Sequence, residues 1–145
     1  AVYRTRSADD RIATSATVFH NDHDNPQFYV RRVPTTPFSL EVVNMARGRS
    51  YGAEVETRVR ATRTVELSAS LGHLATRITE ATTTQPGLEG NRFGRDPRYT
   101  ASAGALWQAT PKIVLDARAT WVSRFYTDLN NNENEVAGAF AIVDA

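Results

Sequence analysis

The stretch Asn44–Ala61 constrains the fold more than any other part of the chain. From Tyr51 onward, its side chains alternate strictly between an apolar set and a polar set. Successive side chains of a β-strand point to opposite faces, so a period of two predicts a strand. One face is apolar and begins with an aromatic ring: Tyr51, Ala53, Val55, Thr57 and Val59. The other face carries four charges: Gly52, Glu54, Glu56, Arg58 and Arg60. Such a strand fits either a soluble sandwich or a wall between lipid and a wet lumen.

The same period returns along most of the chain, and no stretch shows the period of a helix. Further strands are predicted at Asp10–Asn21, Thr64–Thr79, Tyr99–Ala109, Ile113–Phe125 and Val136–Asp144. A short extended piece, Phe28–Val33, ends at Pro34 and Pro37, since proline interrupts strands. The connections alternate between tight turns and long polar loops, as in outer-membrane barrels. The sequence therefore predicts an all-β fold: an antiparallel up-and-down transmembrane β-barrel segment of about six long strands, with short periplasmic turns and long extracellular loops.

The register of the first tight hairpin follows from the need to place both apolar faces on one side of the sheet. A three-residue turn at Ala61–Arg63 satisfies this condition and pairs Val59 with Val65. It also places Arg58 opposite Glu66 on the polar face, a favourable cross-strand pair.

The second tight turn, Thr110–Lys112, predicts that Trp107 pairs with Leu115. Trp107 then lies near the turn, while Tyr99 and Trp121 lie near the long loops. Eight residues separate Tyr99 from Trp107, which corresponds to roughly 20 Å of height in a strand tilted near 40°. Two aromatic tiers at this spacing are typical of the girdles that flank the apolar band of a membrane barrel.

Composition excludes several classes of protein. The chain of 145 residues is long enough for one domain, and its net charge of +1 gives no overall basic field for nucleic acid. It contains no cysteine, which excludes disulfides, thiol chemistry and cysteine-ligated metals. No run approaches the roughly 20 apolar residues of a membrane helix, and no signal peptide opens the chain. Low hydropathy is compatible with a membrane barrel, because only every second residue faces lipid.

The segment VVNMARGRSYGAEVE resembles a barrel signature of TonB-dependent outer-membrane receptors, N-x-G-x-x-x-x-x-G-x-E-x-E. Asn44, Gly52, Glu54 and Glu56 match it, while Ala46 stands where glycine is common. Further segments resemble strands of the same family in the same order: ATVFHNDHDNPQ, LSASLGHLATRITE, GNRFGRDPRYTASAGALWQ and ARATWVSRFYTDLNNNE. The resemblance covers nearly the whole chain.

The resemblance implies a piece of a larger transport protein. Receptors of this family combine a plug domain, a TonB-contact peptide and a 22-stranded barrel, and residues 1–145 would supply a C-terminal part of the barrel without the plug. The implied function is active uptake of a scarce ligand, most simply an iron–siderophore or similar metal chelate, driven by TonB. The implied location is the outer membrane of a Gram-negative cell. Implied partners are outer-membrane lipid or lipopolysaccharide, the plug, TonB and the small ligand; neither a resident cofactor nor enzymatic activity is expected.

A basic-aromatic cluster in the long loop Glu80–Arg98 is the first candidate binding site. It contains Arg92, Phe93, Arg95 and Arg98. Arginine supplies charge and aromatic rings supply stacking for an anionic ligand such as an iron–siderophore complex. The simpler explanation is that these are loop charges near anionic lipid at the membrane surface.

A second candidate is the H-x-D-H-D cluster at a strand-to-loop junction. His20, Asp22 and His23 are residue types that ligate transition metals. A solvated turn, in which Asn and Asp cap the backbone, explains the same residues. The Asn130–Asn132 run is predicted to be a solvated loop tip.

Two other classes of protein fit the alternating pattern. One is a soluble antiparallel β binding module, which would bury one face in a dry core. Its apolar faces would be rich in alanine, which is small for a sandwich core. The other is a passive outer-membrane porin, which shares the predicted fold but lacks a plug.

Overall fold

The computed structural model describes residues 1–31 and 40–145, and strands dominate both parts. The strands are β1 (Val2–Arg6), β2 (Ile12–Asp24), β3 (Gln27–Arg31), β4 (Leu40–Asn44), β5 (Arg47–Arg60), β6 (Val65–Glu80), β7 (Tyr99–Thr110), β8 (Ile113–Val122), β9 (Phe125–Tyr126), β10 (Val136–Ala137) and β11 (Phe140–Asp144). A short 3-10 turn covers Pro86–Leu88. Within the described ranges, no helix is long and apolar enough to cross a membrane. Pro34 and Pro37 lie outside the described residues.

Seven strands form one antiparallel sheet in the order β1-β2-β5-β6-β7-β8-β11. Every neighbouring pair is antiparallel, which confirms the predicted up-and-down arrangement. The five central strands have 13, 14, 16, 12 and 10 residues, longer than the roughly five or six usual in globular proteins. The sheet is open, with the five-residue strands β1 and β11 at its edges. The sequence pattern had given no sign of β1.

The two faces of this sheet have opposite chemistry, as the alternation predicts. The apolar face carries large exposed side chains: Val18, Tyr51, Val55, Leu67, Leu71, Tyr99, Trp107, Leu115 and Trp121. Among the described residues, no second layer covers them, so the soluble sandwich with a dry core is wrong. The polar face holds a groove of about 550 Å³ lined by small and charged side chains, including Ser70, Glu54 and Arg118. We call these the outer and the inner face.

One predicted register is confirmed and the other is wrong. Trp107 pairs with Leu115, as the turn at Thr110–Lys112 required. In the first hairpin, however, Val59 pairs with Leu67 rather than with Val65. The register shifts by two residues along β6, because Thr62 folds a local turn in which its backbone N–H donates to the Val65 carbonyl oxygen at 3.2 Å. A slip of two residues keeps the faces but changes the partners.

The connections divide between the two ends of the sheet. Tight turns join β1 to β2, β5 to β6 and β7 to β8 at one end. Three long loops lie at the other end: loop 1 (described at residues 25–31 and 40–46, with β3 and β4), loop 2 (residues 81–98) and loop 3 (residues 123–139, which contains β9 and β10). The final predicted strand is split, because Val136–Ala137 pairs within loop 3 while Phe140–Asp144 joins the sheet. The buried apolar cluster also lies at the loop end: Met45, Ile78, Leu88 and Leu129.

Candidate functional site

The three long loops pack together into a cap over one end of the sheet. Its core joins all of them, since Met45 belongs to loop 1, Leu88 to loop 2 and Leu129 to loop 3, around Ile78 of β6. Met45 and Ile78 are fully buried. Burial of a large apolar side chain contributes about 1.5–3 kcal/mol, so this small core can hold the loops in one arrangement. The cap is the place where the sequence predicted a binding site.

Phe93 has a packing role in the cap rather than an open binding role. Its ring lies 4.9 Å from the ring of Phe28 and 5.9 Å from that of His23, measured between centroids. It also fills the space above Gly48, where an added Cβ would lie 2.7 Å from its Cζ atom. The Phe93 backbone N–H donates to Thr76 Oγ1 at 3.0 Å. Phe93 therefore fixes loop 2 against β5 and β6.

Loops 2 and 3 are joined through the side-chain amide of Asn131. Its Oδ1 accepts from the backbone N–H of Arg92 at 2.7 Å, and its Nδ2 donates to the Arg92 carbonyl oxygen at 3.1 Å. Nearby, a Cβ added to Gly94 would lie 2.9 Å from the backbone of Asp128. Asn131 is half-buried and has a positive φ of 54°. The prediction that Asn130–Asn132 is a solvated loop tip is therefore wrong for Asn131.

Arg92 forms a partly enclosed ion pair inside loop 2. Its Nη2 lies 3.5 Å from Asp96 Oδ1, and the two side chains are 19% and 8% exposed. Burial raises the pKa of Asp96, although the hydrogen bond from the Thr76 hydroxyl and the charge of Arg92 act in the opposite direction. Arg92 Nε and Asp96 Oδ1 are buried without a hydrogen-bond partner among the described residues. The guanidinium of Arg92 is thus largely committed to the loop itself.

A cleft of about 430 Å³ opens beside this ion pair, between loops 2 and 3. We call it the basic-aromatic cleft; it is lined by Arg92, Arg98, Tyr99, Ser123, Arg124, Phe125, Tyr126 and Val136. Ser123 is buried and joins the two walls: its N–H donates to the Tyr99 carbonyl oxygen at 2.9 Å, and its Oγ accepts from the Tyr99 N–H at 3.0 Å. Three guanidinium groups and three aromatic rings therefore surround one opening.

The arginines around the basic-aromatic cleft differ in whether a carboxylate lies beside them. Arg124 Nη1 lies 3.4 Å from Glu133 Oε2, and the Tyr126 hydroxyl donates to Glu133 Oε1 at 2.6 Å. The hydrogen bond from Tyr126 and the charge of Arg124 hold the pKa of the Glu133 carboxyl below its ordinary value. The same hydrogen bond raises the pKa of Tyr126. Arg98 is exposed and has no carboxylate within 4.0 Å among the described residues.

The structure brings together only part of the predicted basic-aromatic cluster. Arg92 and Arg98 reach the cleft, whereas Arg95 lines a separate cleft of about 470 Å³ beside Tyr29 and Asp128. The alternation within Ile113–Phe125 predicts Arg124 on the polar, lumen-lining side, and nothing in the sequence singles out Tyr126. Tyr126 lies directly between a predicted strand and a polar loop, which is the only signal for it and does not reveal which loop it faces.

The structure does not bring His20, Asp22 and His23 together. His20 and Asp22 are two residues apart on the outer face, with His20 Nε2 3.4 Å from Asp22 Oδ2. His23 lies on the inner face, where its Nε2 is 2.9 Å from Ser50 Oγ. In the described part of the chain, no three His, Asp or Glu side chains converge to hold a metal ion.

Two structural features account for the predicted barrel signature: a tight contact at its glycine and the inner-face position of its glutamates. A Cβ added to Gly52 would lie 2.1 Å from the His73 carbonyl oxygen and 2.8 Å from Phe19 Cζ, so only glycine fits there. Glu54 and Glu56 lie on the inner face and line its groove. Asn44 is exposed at the end of β4.

The sequence matches, over residues 3–145, the family described as TonB dependent receptor-like, beta-barrel. The chain belongs to this family. Members are transport receptors rather than enzymes, and their barrels account for the open sheet seen here. The predicted family and the predicted fold are both confirmed.

Solved structures with the same fold support this placement. The siderophore receptor PiuA from Acinetobacter baumannii is 18% identical, with a TM-score of 0.70 over 97% of this chain. The ferric yersiniabactin uptake receptor FyuA from Yersinia pestis is 20% identical, with a TM-score of 0.69 over 97% of this chain. The copper transporter OprC is 11% identical, with a TM-score of 0.72 over 98% of this chain. The chain covers 20%, 20% and 21% of these proteins, respectively, about a fifth of their length.

Proposed function

We propose that this chain is part of the barrel wall of an outer-membrane receptor that takes up a scarce metal chelate, most simply a ferric siderophore, by TonB-driven transport. The outer face would contact lipid, the inner face would surround a plug domain, and the cap would face the outside of the cell. The basic-aromatic cleft is the observation that carries the proposal. The siderophore receptor PiuA and the uptake receptor FyuA share the fold of this chain, which supports the choice of ligand class.

The chemistry of the cleft favours an anionic ligand with flat or aromatic groups. Arg98 offers an exposed guanidinium, and its planar fork suits carboxylate or phenolate oxygens. Tyr99, Phe125 and Tyr126 offer ring surface on the walls of the same opening. Arg124 lines the same opening, with its Nη1 3.4 Å from Glu133 Oε2.

The outer face supports the proposed membrane placement. Its large apolar side chains are 40–60% exposed at Val55, Leu67 and Leu71, a pattern that is unfavourable in water and suited to hydrocarbon. Tyr99 and Trp107 mark the two aromatic tiers, at opposite ends of β7. A lipid environment removes the free-energy cost of exposing this apolar surface to water.

The test measures binding and uptake separately in the intact receptor, expressed in cells that lack other receptors for the same chelates. Ferric siderophores with anionic, neutral and cationic charge are offered to energy-depleted cells for binding and to energised cells for uptake. We expect selective binding of an anionic chelate, and uptake that stops when TonB is deleted although binding persists. Uptake that continues without TonB would favour a passive porin and would contradict the proposal.

The cleft itself is tested by single substitutions, because deletion of loop 2 would also remove the core of the cap. Arg98→Gln should weaken binding of the anionic chelate by about 10-fold or more, the effect of losing one charge-assisted hydrogen bond. Arg95→Gln is the matched control, since Arg95 is exposed on the same loop but lines the other cleft. Equal affinities for the two variants would show that the cleft does not contact the ligand.

A further inference from the structure

Asp96 is a buried carboxyl group of the cap that does not itself line the basic-aromatic cleft. Its side chain is 8% exposed. One carboxyl oxygen, Oδ2, accepts a hydrogen bond from the Thr76 hydroxyl of β6. The other oxygen, Oδ1, has no hydrogen-bond partner among the described residues. Burying a carboxylate with an unused oxygen is unfavourable, so the compensating interaction must come from the charged group that Asp96 faces.

Arg92 is that group, and it also lines the cleft. Its Nη2 donates to the Asp96 backbone carbonyl oxygen at 2.7 Å and lies 3.5 Å from Asp96 Oδ1. The second distance is longer than a good hydrogen bond. Arg92 Nε is buried without a hydrogen-bond partner among the described residues. Arg92 is therefore held by one carbonyl oxygen and by charge, and part of its donor fork is unused.

The backbone around this ion pair is fixed from two sides. Asn131 of loop 3 binds the N–H and the carbonyl oxygen of Arg92 at 2.7 and 3.1 Å. Thr76 Oγ1 accepts from the Phe93 N–H at 3.0 Å while it donates to Asp96. The carboxylate thus has a set place relative to β6, and the side chain of Arg92 is the part that can respond to a ligand. Asp96 is a positioning residue, because it acts on the cleft through Arg92.

The three guanidinium groups of the cleft differ in what an entering anion meets. Arg92 is engaged by the buried Asp96. Arg124 has Glu133 beside it, whose negative charge opposes a second anionic group. Arg98 is exposed and has no carboxylate within 4.0 Å among the described residues. The folded cleft therefore offers one guanidinium without a competing carboxylate.

We propose that Asp96 restricts the basic-aromatic cleft to ligands with a single anionic group, because it withholds Arg92, and that neutralising Asp96 releases Arg92 to bind a second anionic group. The released guanidinium presents paired N–H donors, which suit carboxylate, phenolate or sulfonate oxygens. This inference rests on the proposed function, since it concerns the charge of the ligand that the same cleft accepts.

Acid should neutralise Asp96 without any substitution. Burial raises the pKa of Asp96 above its ordinary value of 3.8, against the opposing effects of the Thr76 hydrogen bond and the charges of Arg92 and Arg98. A raised pKa means that protonation begins at a higher pH than for an exposed aspartate. The preference of the cleft for a doubly charged ligand should therefore increase as the pH falls from neutrality.

A histidine on the neighbouring strands is the other titratable group to be separated from this effect. Thr76 of β6 is the register partner of Ser50 of β5, and Ser50 Oγ lies 2.9 Å from Nε2 of His23 on β2. Histidine titrates between neutral and mildly acidic pH. His23→Gln therefore serves as a control in every measurement that varies the pH.

The experiment compares two small probes of fixed charge on the intact receptor in detergent. Benzenesulfonate carries one negative charge and benzene-1,3-disulfonate carries two, and both stay ionised from neutral to mildly acidic pH. Ligand-observed NMR titration gives the two affinities, and their ratio is the readout. At neutral pH, Asp96→Asn should raise the ratio in favour of the disulfonate about tenfold over wild type, the effect of one added charge-assisted hydrogen bond. An unchanged ratio in Asp96→Asn would overturn the proposal.

Two further variants show whether Asp96 acts through Arg92. Asp96→Asn with Arg92→Gln removes both charges, keeps the net charge of wild type and should return the ratio to the wild-type value. Asp128→Asn is the matched control, because it also removes one negative charge from the cap but lies in the lining of the other cleft. A tenfold gain that persists without Arg92, or that Asp128→Asn reproduces, would contradict the assigned role of Asp96.

The pH series gives an answer even if Asp96→Asn does not fold, which heat-dependent mobility on a gel would reveal. Between about pH 7.5 and about pH 4.5, the wild-type ratio should rise about threefold or more, and it should rise equally in His23→Gln. In folded Asp96→Asn it should stay constant. A flat wild-type ratio, or a rise that disappears in His23→Gln, would show that Asp96 does not set the charge preference.

Failure of this inference can be told apart from failure of the proposed function. The sulfonate ratios require neither a metal chelate nor TonB. If the ratios change as expected but no anionic chelate is bound or taken up, the proposed function fails and the role of Asp96 stands. If chelate binding depends on Arg98 but the sulfonate ratio is the same in wild type and Asp96→Asn, only the role of Asp96 fails.

Discussion

The side-chain amide of Asn131 binds both backbone polar groups of Arg92, accepting from its N–H at 2.7 Å and donating to its carbonyl oxygen at 3.1 Å. The two residues belong to different loops and are 39 positions apart in the chain. This pair of hydrogen bonds mimics one step of a β ladder and places loop 3 beside loop 2. The basic-aromatic cleft lies between these loops, so its shape depends on this contact.

Asn131→Gly should loosen the contact between loops 2 and 3 while the sheet remains intact. Glycine tolerates the positive φ of 54° at this position, so the change removes the two hydrogen bonds without adding backbone strain. The expected cost is about 1–3 kcal/mol of local stability. Hydrogen exchange by mass spectrometry should show faster exchange in residues 81–98 and 123–139 and unchanged exchange in β5 and β6.

Asn130→Gly is the control for this experiment. Asn130 is exposed, and among the described residues it bonds to Asp128 of its own loop. Its replacement should leave exchange in loop 2 unchanged. Equal exchange of loop 2 in the two variants would show that Asn131 does not join the loops.

Gly48→Ala should displace Phe93 and weaken the cap. The added Cβ would lie 2.7 Å from Phe93 Cζ, and the ring is also held between Phe28 and His23. Overpacking of this kind costs about 1–3 kcal/mol. The measurement is a double-mutant cycle on the thermal stability of the intact receptor, with Gly48→Ala, Phe93→Ala and the double variant.

The cycle should show strong coupling between the two positions. Removing the ring makes room for the methyl group, so Gly48→Ala should cost little in the Phe93→Ala background. Gly87→Ala serves as the control, because no atom lies within 4 Å of a Cβ added there. Additive effects of Gly48→Ala and Phe93→Ala would contradict the contact.

Protonation of Glu133 in acid should make the cap less stable. The hydrogen bond from Tyr126 and the charge of Arg124 hold its pKa below the ordinary value of 4.5. A carboxyl group with a lowered pKa in the folded state contributes stability above its unfolded pKa and loses it as the pH falls through the folded value. The stability difference between wild type and Glu133→Gln should therefore be present at pH 7 and should shrink below about pH 4.5.

Melting temperatures of the intact receptor at several pH values between 7 and 3 give this difference directly. Tyr126→Phe should reproduce most of the effect, because the tyrosine hydroxyl is the strongest single influence on the Glu133 pKa. A stability difference that stays constant over the whole pH range would contradict the assignment.

The sequence predicted the sheet well because its information is local and periodic. Alternation gives the face of each side chain without any knowledge of its neighbours, and it correctly placed Glu54 and Leu71 on opposite sides. The cap could not be predicted in the same way. Its contacts join residues far apart in sequence, as between Phe93 and Gly48, and no periodic pattern encodes them. For the same reason, the alternation predicts the polar side for Arg124 but gives no sign of the basic-aromatic cleft that it lines.

The hairpin of β5 and β6 shows the limit of the periodic argument. The apolar faces of both strands lie on one side only if the loop has an odd number of residues. Loops of three and of five residues both meet this condition. The structure has the longer connection, which Thr62 stabilises by donating its N–H to the Val65 carbonyl oxygen and accepting at Oγ1 from the Val65 N–H at 3.0 Å. Short local bonds of this kind decided the register, and only the structure reveals them.

Paired cysteines distinguish the two registers. The chain contains no cysteine, so an engineered cysteine pair has no native cysteine of this chain to react with. Val59→Cys with Leu67→Cys should crosslink under mild oxidation, because register partners bring Cβ atoms within about 4.5–5.5 Å of each other. Val59→Cys with Val65→Cys should crosslink more slowly, since Val65 is displaced by two residues along β6, about 7 Å away. The fraction of crosslinked receptor, read from mass spectrometry after digestion, gives the result, and faster crosslinking of the second pair would show that the three-residue turn is the true one.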